Sequence, residues 1–380
     1  MRVLIDLRCL QAPPPRGGVA RYAEQAVRAL LAVDRQRPTY ETEPVEWILS
    51  ANGAGSVRRN LPVFDHPRAR WHIGRWPNKL RSAAYSMRLG ACGWPKTDVV
   101  WLPNLAMVPR FDARTKLIVT VHDLSFEHFA DCFTAKQRLW HRAVRPRQLL
   151  ARANAIIAVS ETTKRDVMEA YTIAEPSVHV VYPGIDHAAP NPDGPTSCAS
   201  CCILPAGFPF MLALSECSPR KNLDGLIAAF EKIATDLHLV IAGKPGSATR
   251  ALRRQIARSP ARSRIDVIGE VTEHEKAALL ARARCFVFPS FWEGFGFPAL
   301  EAMAAGVPVV AAAAGALPEV LGDAAVYCDP LNPADIARAM ERAITDDDLR
   351  TTLIARGRTT AQRYRWETTA ERLHAIIRAA

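Results

Sequence analysis

A chain of 380 residues is long enough for two domains of ordinary size, and an apolar fraction of 49% excludes a disordered chain. The formal net charge of +11 points to an anionic partner, which is a nucleic acid, an anionic lipid or a phosphorylated substrate. No apolar run reaches the roughly 18 residues that a membrane-spanning helix needs. A strand-like run starts directly after Met1, where a signal peptide would have to lie.

The nine cysteines are scattered along the chain, which is typical of free thiols in a reducing cytoplasm. The one cluster comprises Cys198, Cys201 and Cys202. A zinc site would need a second pair of ligands at a suitable spacing, and no such pair is evident. We therefore expect a cytoplasmic protein without a metal site and interpret the cluster as linker thiols.

Apolar strands alternate with amphipathic helices through the first half of the chain. This alternation is typical of a parallel, doubly wound sheet. Strands are predicted at Val3–Leu7, Val45–Ser50, Val99–Leu102, Leu117–Val121, Ile156–Val159 and Val178–Tyr182. Helices are predicted from Gly17 and Gly18 to Val33, at Lys136–Arg152 and at Glu161–Tyr171.

A second alternation follows the stretch from His187 to Pro209, which is rich in Pro, Gly, Ser and Cys and has no periodicity. Its strands are predicted at Phe210–Leu214, Leu237–Ala242, Ile265–Ile268, Cys285–Phe288 and Val307–Ala311. Its helices are predicted at Leu223–Thr235, Ala248–Ala257, His274–Ala283, Pro298–Ala305, Pro333–Ile344 and Trp366–Ala380. We therefore predict an α/β fold of two Rossmann-like domains facing across a deep cleft, with ligands at the carboxyl ends of the strands.

The stretch from Pro289 to Gly306 follows an apolar strand and contains two carboxylates. Two glycines open a tight loop that holds Glu293, and Pro298 suits the first turn of a short helix that holds Glu301. Carboxylates accept hydrogen bonds from vicinal hydroxyls, and backbone N–H groups at a helix N-terminus bind phosphate. This combination points to a nucleotide sugar. The alternative is that neither glutamate binds a ligand. One of them would then only be stabilised by the helix dipole at the start of the helix, and the other would lie on an exposed helix face.

Basic and small residues follow two other predicted strands. Arg220 and Lys221, in the run Ser218–Asn222, follow a strand and precede a helix, which indicates a cationic cradle for a diphosphate; the alternative is a solvated pair. Gly17 and Gly18 lie between the first strand and the first helix. Glycine there lets the backbone approach a phosphate, or simply makes a turn.

His122 and Asp123 end the strand Leu117–Val121, at the edge of the sheet where ligands bind. Two interpretations are open. The histidine is a polar donor aimed at a sugar, or it is satisfied by neighbouring backbone while Asp123 caps the next turn.

Together these residues resemble a known family. The run Pro289–Gly306, with two glutamates separated by seven residues, is similar to the donor-site motif of the retaining glycosyltransferases of family 4, in the GT-B superfamily. Four further runs match the same family, namely Ser218–Asn222, Ala311–Asp323, Val121–Asp123 and Val181–Asp186. The resemblance covers nearly the whole chain and is most specific in the second half.

The resemblance implies a role for each candidate residue. Arg220 and Lys221 would hold the donor diphosphate, Glu293 would contact the transferred sugar, and Glu301 would hold the ribose diol. The N–H groups of Phe295 and Gly296 would lie beside the sugar. His122 would contact the sugar from the first domain, and Gly17 and Gly18 would approach the phosphates across the cleft.

The composition of the linker and the two alternations set the domain boundaries, and the resemblance implies the role of each domain. Residues 1–187 would form an acceptor-binding domain, 188–208 the linker, 209–365 the nucleotide-sugar-binding domain, and 366–380 a C-terminal helix that docks on the first domain.

The chain departs from the family pattern at the phosphate site. Many relatives carry a Gly-Arg pair after the first strand of the second domain, where this chain has Leu214, Ser215 and Glu216.

For the chemistry, the resemblance implies retention at the anomeric carbon without a metal or another cofactor, with Arg220 and Lys221 neutralising the leaving diphosphate. The surroundings of His122 and the run Phe126–Phe133 resemble bacterial mannosyltransferases of surface-polysaccharide assembly, which favours GDP-mannose as the donor. A hexosyltransferase that uses a UDP-sugar is the alternative.

Two segments of the chain are basic and contain no acidic residue, from His66 to Thr97 and from Lys136 to Arg152. Basic residues interleaved with tryptophan suit the surface of an anionic membrane. In many relatives the acceptor is a polyprenyl-diphosphate-linked saccharide at the inner membrane face, so we expect a peripheral membrane contact there. The alternative is a solvated basic surface. Nucleic acid is not an expected partner, because no recognition module is evident.

Two related activities lack their motifs in this sequence. An epimerase of similar fold needs residues for chemistry at the sugar ring, and a glycogen-type phosphorylase needs a lysine-linked pyridoxal phosphate. A catalytically dead nucleotide-sugar-binding protein at the membrane is the alternative of another class. The pairs Arg220/Lys221 and Glu293/Glu301 favour the enzyme.

Overall fold

The computed structural model describes residues 1–12, 17–36, 43–53, 60–74, 85, 94–109, 112–186 and 208–380. The chain divides into two compact units. Unit 1 comprises residues 1–124, 135–184 and 365–380, and unit 2 comprises residues 125–134 and 185–364. Of the predicted linker only Phe208 is described, so the cysteine cluster at Cys198, Cys201 and Cys202 lies outside the described residues.

A parallel sheet of seven strands runs through the described part of unit 1, in the order β3-β2-β1-β4-β5-β6-β7. Its strands are β1 (Arg2–Asp6), β2 (Glu46–Asn52), β3 (Ala69–Gly74), β4 (Val99–Leu102), β5 (Lys116–Val121), β6 (Ala155–Ala158) and β7 (Val178–Val180). The central strands β4 and β6 are buried along their whole length. Continuous burial is what short apolar runs achieve in a parallel sheet that is covered on both faces.

Unit 2 is built on a second parallel sheet, of six strands in the order β10-β9-β8-β11-β12-β13. Its strands are β8 (Phe210–Leu214), β9 (His238–Ala242), β10 (Ile265–Gly269), β11 (Cys285–Phe288), β12 (Val309–Ala312) and β13 (Ala325–Cys328). Two parallel sheets, each with helical crossovers, confirm the predicted α/β class with two Rossmann-like domains.

The α-helices in the described part of the chain are α1 (Gly18–Gln36), α2 (Ser125–His128), α3 (Ala135–Val144), α4 (Pro146–Leu150), α5 (Glu161–Tyr171), α6 (Leu223–Phe230), α7 (Thr249–Arg258), α8 (Glu273–Arg282), α9 (Phe297–Ala304), α10 (Leu317–Leu321), α11 (Pro333–Thr345), α12 (Asp347–Ala361) and α13 (Trp366–Ala379). Among these described helices, none combines the length and the apolar character that crossing a bilayer requires.

Each sheet reverses the direction of its strand order at one point. In unit 2 the chain builds outward from β8 through β9 and β10, and then returns to the other side of β8 with β11, β12 and β13. Unit 1 makes the same reversal between β1 and β4. In open α/β sheets, ligands bind outside the carboxyl ends of the strands at this switch point. The loops after β8 and β11 therefore mark the position of a site in unit 2.

Five of the labelled elements have no counterpart among the predicted ones, namely the strands β3 and β13 and the helices α2, α10 and α12. The single helix predicted over Lys136–Arg152 is divided into α3 and α4 at Arg145, whose φ of 54° is left-handed. The division has a local cause, because the residue before a proline avoids the helical region and Pro146 follows. The segment Ser125–Thr134 groups with unit 2, although it lies inside the predicted first domain.

The C-terminal helix α13 packs against α1 in unit 1. The hydroxyl of Thr369 on α13 donates to the carbonyl of Tyr182 at 2.8 Å. At Gly184 an added Cβ would lie 2.2 Å from the backbone nitrogen of Trp366, so only glycine lets the chain pass the start of α13.

Candidate active site

The loops that follow β8 and β11 hold three charged side chains together in unit 2. Arg220 and Lys221 lie in a short 3₁₀ turn, Pro219–Lys221, after β8, and Glu293 lies in the loop after β11. Lys221 Nζ is 2.5 Å from Glu293 Oε1, and an Arg220 guanidinium nitrogen is 3.2 Å from Glu293 Oε2. Glu293 is only 8% exposed. The structure thus brings the predicted phosphate ligands and the predicted sugar ligand into one buried cluster at the switch point.

The cluster keeps Glu293 ionised. Burial is the largest single influence and by itself would raise the pKa of Glu293, but the charges of Arg220 and Lys221 and the hydrogen bond from Lys221 outweigh it. The pKa falls to about 2 from its ordinary value of 4.5. A buried carboxylate that stays charged at neutral pH is a strong acceptor for hydroxyl hydrogens.

Backbone contacts fix the two loops against each other. The N–H of Phe291 donates to the carbonyl of Arg220 at 2.9 Å. The Arg220 guanidinium in turn donates to the carbonyl of Trp292. The buried amide of Asn222 donates to the carbonyls of Pro289, at 3.1 Å, and Pro330, at 2.7 Å. Asn222 has a left-handed φ of 53°, which asparagine tolerates better than most residues. Its amide explains why the run Ser218–Asn222 ends in asparagine.

Gly315 supports Glu293 from the loop after β12. It has a φ of 58°, and an added Cβ would lie 2.5 Å from the carbonyl oxygen and 2.8 Å from the nitrogen of Glu293. The next N–H, from Ala316, donates to the Glu293 carbonyl at 2.9 Å. The backbone of Glu293 can therefore rest on this loop only because residue 315 has no side chain.

The loop after Glu293 turns into α9 through Gly296, whose φ is 97°. Phe295 is buried and packs edge-on against Phe297 and Tyr364, at ring-centroid distances of 5.0 and 5.3 Å. The side chain of Phe295 thus anchors the loop in unit 2, and only its backbone is suited to the predicted ligand contact. A helix N-terminus follows at once, with N–H groups that lack intrahelical partners by geometry.

Glu301 lies on α9 and is also 8% exposed. Its Oε2 is 3.0 Å from Nζ of Lys276 on α8. Sequence reasoning missed Lys276, because the lysine belongs to a different helix and to none of the matched motifs.

Sequence reasoning also missed an aromatic layer beside Glu293. The rings of Phe129 and Phe291 stack with centroids 6.5 Å apart, and Phe129 lies 5.9 Å from the Trp292 ring. His128 lies 5.3 Å from the same tryptophan ring. These contacts explain why the segment Ser125–Thr134 groups with unit 2. The sequence signals were the aromatic composition of this run and its resemblance to bacterial mannosyltransferases, and neither of them places the run beside the loop after β11.

The candidate residues of unit 1 follow β1 and β5. Gly17 and Gly18 are exposed at the start of α1, and an added Cβ at either would meet no described atom within 4 Å. Packing in the described part of unit 1 therefore does not require glycine there. One turn into α1, the buried ring of Tyr22 packs edge-on against His122 at 4.7 Å.

His122 is held by the backbone through its Nε2, which lies 2.8 Å from the carbonyl oxygen of Pro103. Because a carbonyl only accepts, Nε2 carries the proton. Burial is the largest influence on the pKa of His122 and lowers it, so the ring is neutral and Nδ1 is an acceptor. This backbone hydrogen bond is the one that the second interpretation of His122 expects. The ring atom that is not bound to Pro103 accepts, so it could contact a sugar only as an acceptor and not as the predicted donor.

The candidate residues divide between the two units. Unit 2 carries Arg220, Lys221, Glu293, Phe295, Gly296 and Glu301, and unit 1 carries Gly17, Gly18 and His122. Two family descriptions match the chain along the same division. "Glycosyltransferase Family 4" matches residues 16–189, and "Glycosyl transferases group 1" matches residues 204–360.

The chain is similar to curated glycosyltransferases. It is 30% identical over 276 residues to the O-antigen chain mannosyltransferase B of Escherichia coli, covering 70% of each chain. It is 33% identical over 232 residues to the serotype-specific mannosyltransferase WbdA of Escherichia coli, where the match covers 58% of this chain and 28% of that longer protein.

Solved structures share the fold at lower identity. Sucrose-phosphate synthase from Thermosynechococcus elongatus superposes with a TM-score of 0.73 at 19% identity, over 100% of this chain and 98% of that one. Anabaena HepE in complex with UDP-glucose superposes with a TM-score of 0.73 at 20% identity, over 100% of both chains. Fold, motifs and relatives agree, and the chain belongs to the family 4 glycosyltransferases, with a group 1 glycosyltransferase domain in its second half and the GT-B fold of two Rossmann-like domains.

Proposed function

We propose that this glycosyltransferase transfers mannose from GDP-mannose, with retention of configuration, to a lipid-linked saccharide acceptor in the assembly of a bacterial surface polysaccharide. The sugar and the pathway are supported by the similarity to two mannosyltransferases of Escherichia coli, of which one is named for the O-antigen chain. The family resemblance of the residues around His122 supports the same choice.

The observation that carries the proposal is the buried cluster of Arg220, Lys221 and Glu293 at the switch point of unit 2. Two cations and one ionised carboxylate suit a ligand that combines a diphosphate with hydroxyl groups. On donor binding, the diphosphate would bind Arg220 and Lys221, and Glu293 would accept hydrogen bonds from the sugar. The glycines at the start of α1 would leave room for the phosphates, and Nδ1 of His122 would accept from a sugar hydroxyl.

The proposed reaction uses one face of the sugar. The bond between the anomeric carbon and the diphosphate oxygen breaks, and the acceptor oxygen bonds to the same face. The acceptor proton passes to an oxygen of the leaving diphosphate. Arg220 and Lys221 would stabilise the charge that develops on that leaving group, which is the role a divalent cation plays in other transferases.

A binding screen followed by product analysis tests this proposal. A ligand that binds only the folded state raises the midpoint of thermal unfolding, so GDP, GDP-mannose, UDP and UDP-glucose are compared first. We expect the guanine compounds to stabilise the protein more. NMR of the sugar released or transferred from GDP-mannose should show the α configuration of the donor. Stabilisation by the UDP compounds alone would exclude GDP-mannose, and an inverted product would exclude the retaining mechanism.

The proposed lipid-linked acceptor requires contact with a membrane, and α3 has a suitable surface. Its Leu139 and Trp140 are 67% and 41% exposed. Lys136, Arg138 and Arg142 on the same helix are exposed as well. A basic helix that exposes a tryptophan and a leucine suits the interface of an anionic bilayer. In the other basic segment, Arg75, Trp76, Lys79, Arg81 and Arg88 lie outside the described residues.

A further inference from the structure

Lys276 contacts the carboxylate to which the proposed function gives the ribose. Its Nζ lies 3.0 Å from Oε2 of Glu301 and 2.6 Å from Oε2 of Glu273. Glu273 is on α8, one turn before Lys276, whereas Glu301 is on α9. The lysine therefore links α8, which follows β10, to α9, which follows β11. Its contact with Glu301 is a tertiary contact between two helices.

The burial of the partners shows which contact matters. Glu301 is buried, Lys276 is half-buried and Glu273 is exposed. Solvent screens the exposed contact with Glu273, as it does most surface ion pairs. A buried carboxylate, by contrast, needs a charged partner to remain ionised in place. The contact with Glu301 is therefore the one that bears on the function of Lys276.

The contact restricts the orientation of the Glu301 carboxylate. An ionised carboxylate has about four lone-pair positions for hydrogen bonds, and one lysine N–H takes one of them. The ammonium group, 3.0 Å from Oε2, limits the rotation of the carboxylate. A vicinal diol binds best to such an acceptor, because both hydroxyls donate and the charge strengthens each bond.

We propose that Lys276 is a positioning residue of the donor site, which fixes the Glu301 carboxylate to accept hydrogen bonds from the 2′- and 3′-hydroxyls of a ribonucleotide. The inference rests on the proposed function, since it assumes the role of Glu301 in that site. It makes the lysine and the glutamate jointly responsible for selectivity toward ribose.

The test compares nucleotides with and without the diol. Isothermal titration calorimetry measures binding of GDP, UDP and their 2′,3′-dideoxy counterparts to the wild type, Lys276→Met, Lys276→Arg and Glu301→Gln. For the better-bound base, the wild type should prefer the ribonucleotide roughly 10- to 100-fold. Lys276→Met should reduce that preference about tenfold and leave the affinity for the dideoxy form almost unchanged, and Lys276→Arg should restore it. Lys232→Met, which changes an exposed lysine of the same unit, is the matched control.

The possible results separate this inference from the proposed function. Wild-type protein that binds none of the four nucleotides would refute the proposed function itself. If Glu301→Gln loses the preference for ribose and Lys276→Met keeps it, the positioning role is wrong and the donor site stands. Equal weakening of both nucleotide forms by Lys276→Met would also overturn the inference, because a damaged fold or a lost phosphate contact acts in that way. If Lys276→Met does not fold, Lys276→Gln replaces it.

Discussion

Glu293 is the side chain on which the proposed donor site depends most directly, since it is buried, ionised and shared between two cations. Glu293→Gln keeps the shape but removes the charge. A lost charge-assisted hydrogen bond corresponds to about 1.5–3 kcal/mol, so we expect turnover to fall roughly 10- to 150-fold. Steady-state kinetics with the best donor measures this, and Glu231→Gln, at an exposed position after α6, is the control. Unchanged kinetics in Glu293→Gln would remove this residue from the site.

The same carboxylate makes a pH-dependent contribution to stability. Its pKa is about 2 in the folded protein and 4.5 ordinarily. The ionised carboxylate therefore adds to the free energy of unfolding at every pH above about 4.5, and this contribution declines as the pH falls toward 2. We expect the difference in thermal midpoint between wild type and Glu293→Gln to be constant from pH 7 to pH 5 and to shrink below that. A difference that grows on acidification would contradict the depressed pKa.

Alanine at two glycines of the candidate site should affect stability differently. At Gly315 the new Cβ would strike the backbone of Glu293 at a positive φ, which costs about 1–3 kcal/mol or more, so stability and activity should both fall. At Gly17 the Cβ meets no described atom, so the thermal midpoint should hold. Activity of Gly17→Ala should nonetheless fall at least about tenfold if the loop approaches the donor phosphates. Full activity of Gly17→Ala would mean that Gly17 only forms a turn and does not approach the donor.

At the scale of the element, α3 is the part of unit 1 that the membrane proposal identifies. Replacing Leu139 and Trp140 together by glutamine removes apolar surface that partial burial in the interface would use. That burial is worth about 2 kcal/mol, or roughly a 30-fold change in binding. Flotation with anionic vesicles should show the loss, and neutral vesicles should bind the wild type poorly. Leu331→Gln, at an exposed leucine of unit 2, is the control. If the wild-type protein does not float with anionic vesicles, the proposed membrane contact is wrong.

The elements that could be predicted from the sequence are those with a strong local pattern. Buried apolar runs such as Phe210–Leu214 give strands without ambiguity. The edge strand β3 does not, because it is half-exposed and carries Arg70 and His72 among its apolar residues. The helix α12 was missed for a related reason: its buried face consists of Leu353, Gly357, Thr360 and Ala361, which form no apolar stripe.

The candidate site shows the same limit. Glu293, Glu301, Arg220 and Lys221 could be placed from sequence, because each belongs to a motif at the end of a recognisable strand. Lys276 and the aromatic run Phe126–Phe133 could not be placed from sequence. Tertiary packing alone brings Lys276 to Glu301 on α9 and Phe129 of the run to Phe291 in the loop after β11.

At the scale of the whole molecule, the chain leaves unit 1 at Gly184 and returns to it at Arg365, so α13 completes a unit begun by the N-terminal strand. A buried charge holds the returning helix. Asp34 on α1 accepts from Trp47 Nε1 at 2.9 Å and from the Arg68 guanidinium at 3.0 Å, and His374 Nε2 of α13 lies 3.5 Å away. Burial alone would raise the pKa of Asp34. The pKa is nevertheless lowered, because the close contact with His374, the hydrogen bonds from Trp47 and Arg68 and the charge of Arg68 prevail.

Asp34→Ala should therefore loosen the docking of α13 as well as weaken unit 1. Removing one member of a buried ionic network leaves its partners uncompensated and typically costs about 3–5 kcal/mol. Hydrogen–deuterium exchange should speed up in residues 366–379 before it does in the strands of unit 2, and the thermal midpoint should fall. Asp65→Ala breaks the exposed pair with Arg35 and should cost no more than about 1 kcal/mol. Unaltered exchange of α13 in Asp34→Ala would show that apolar packing against α1 suffices to hold the helix.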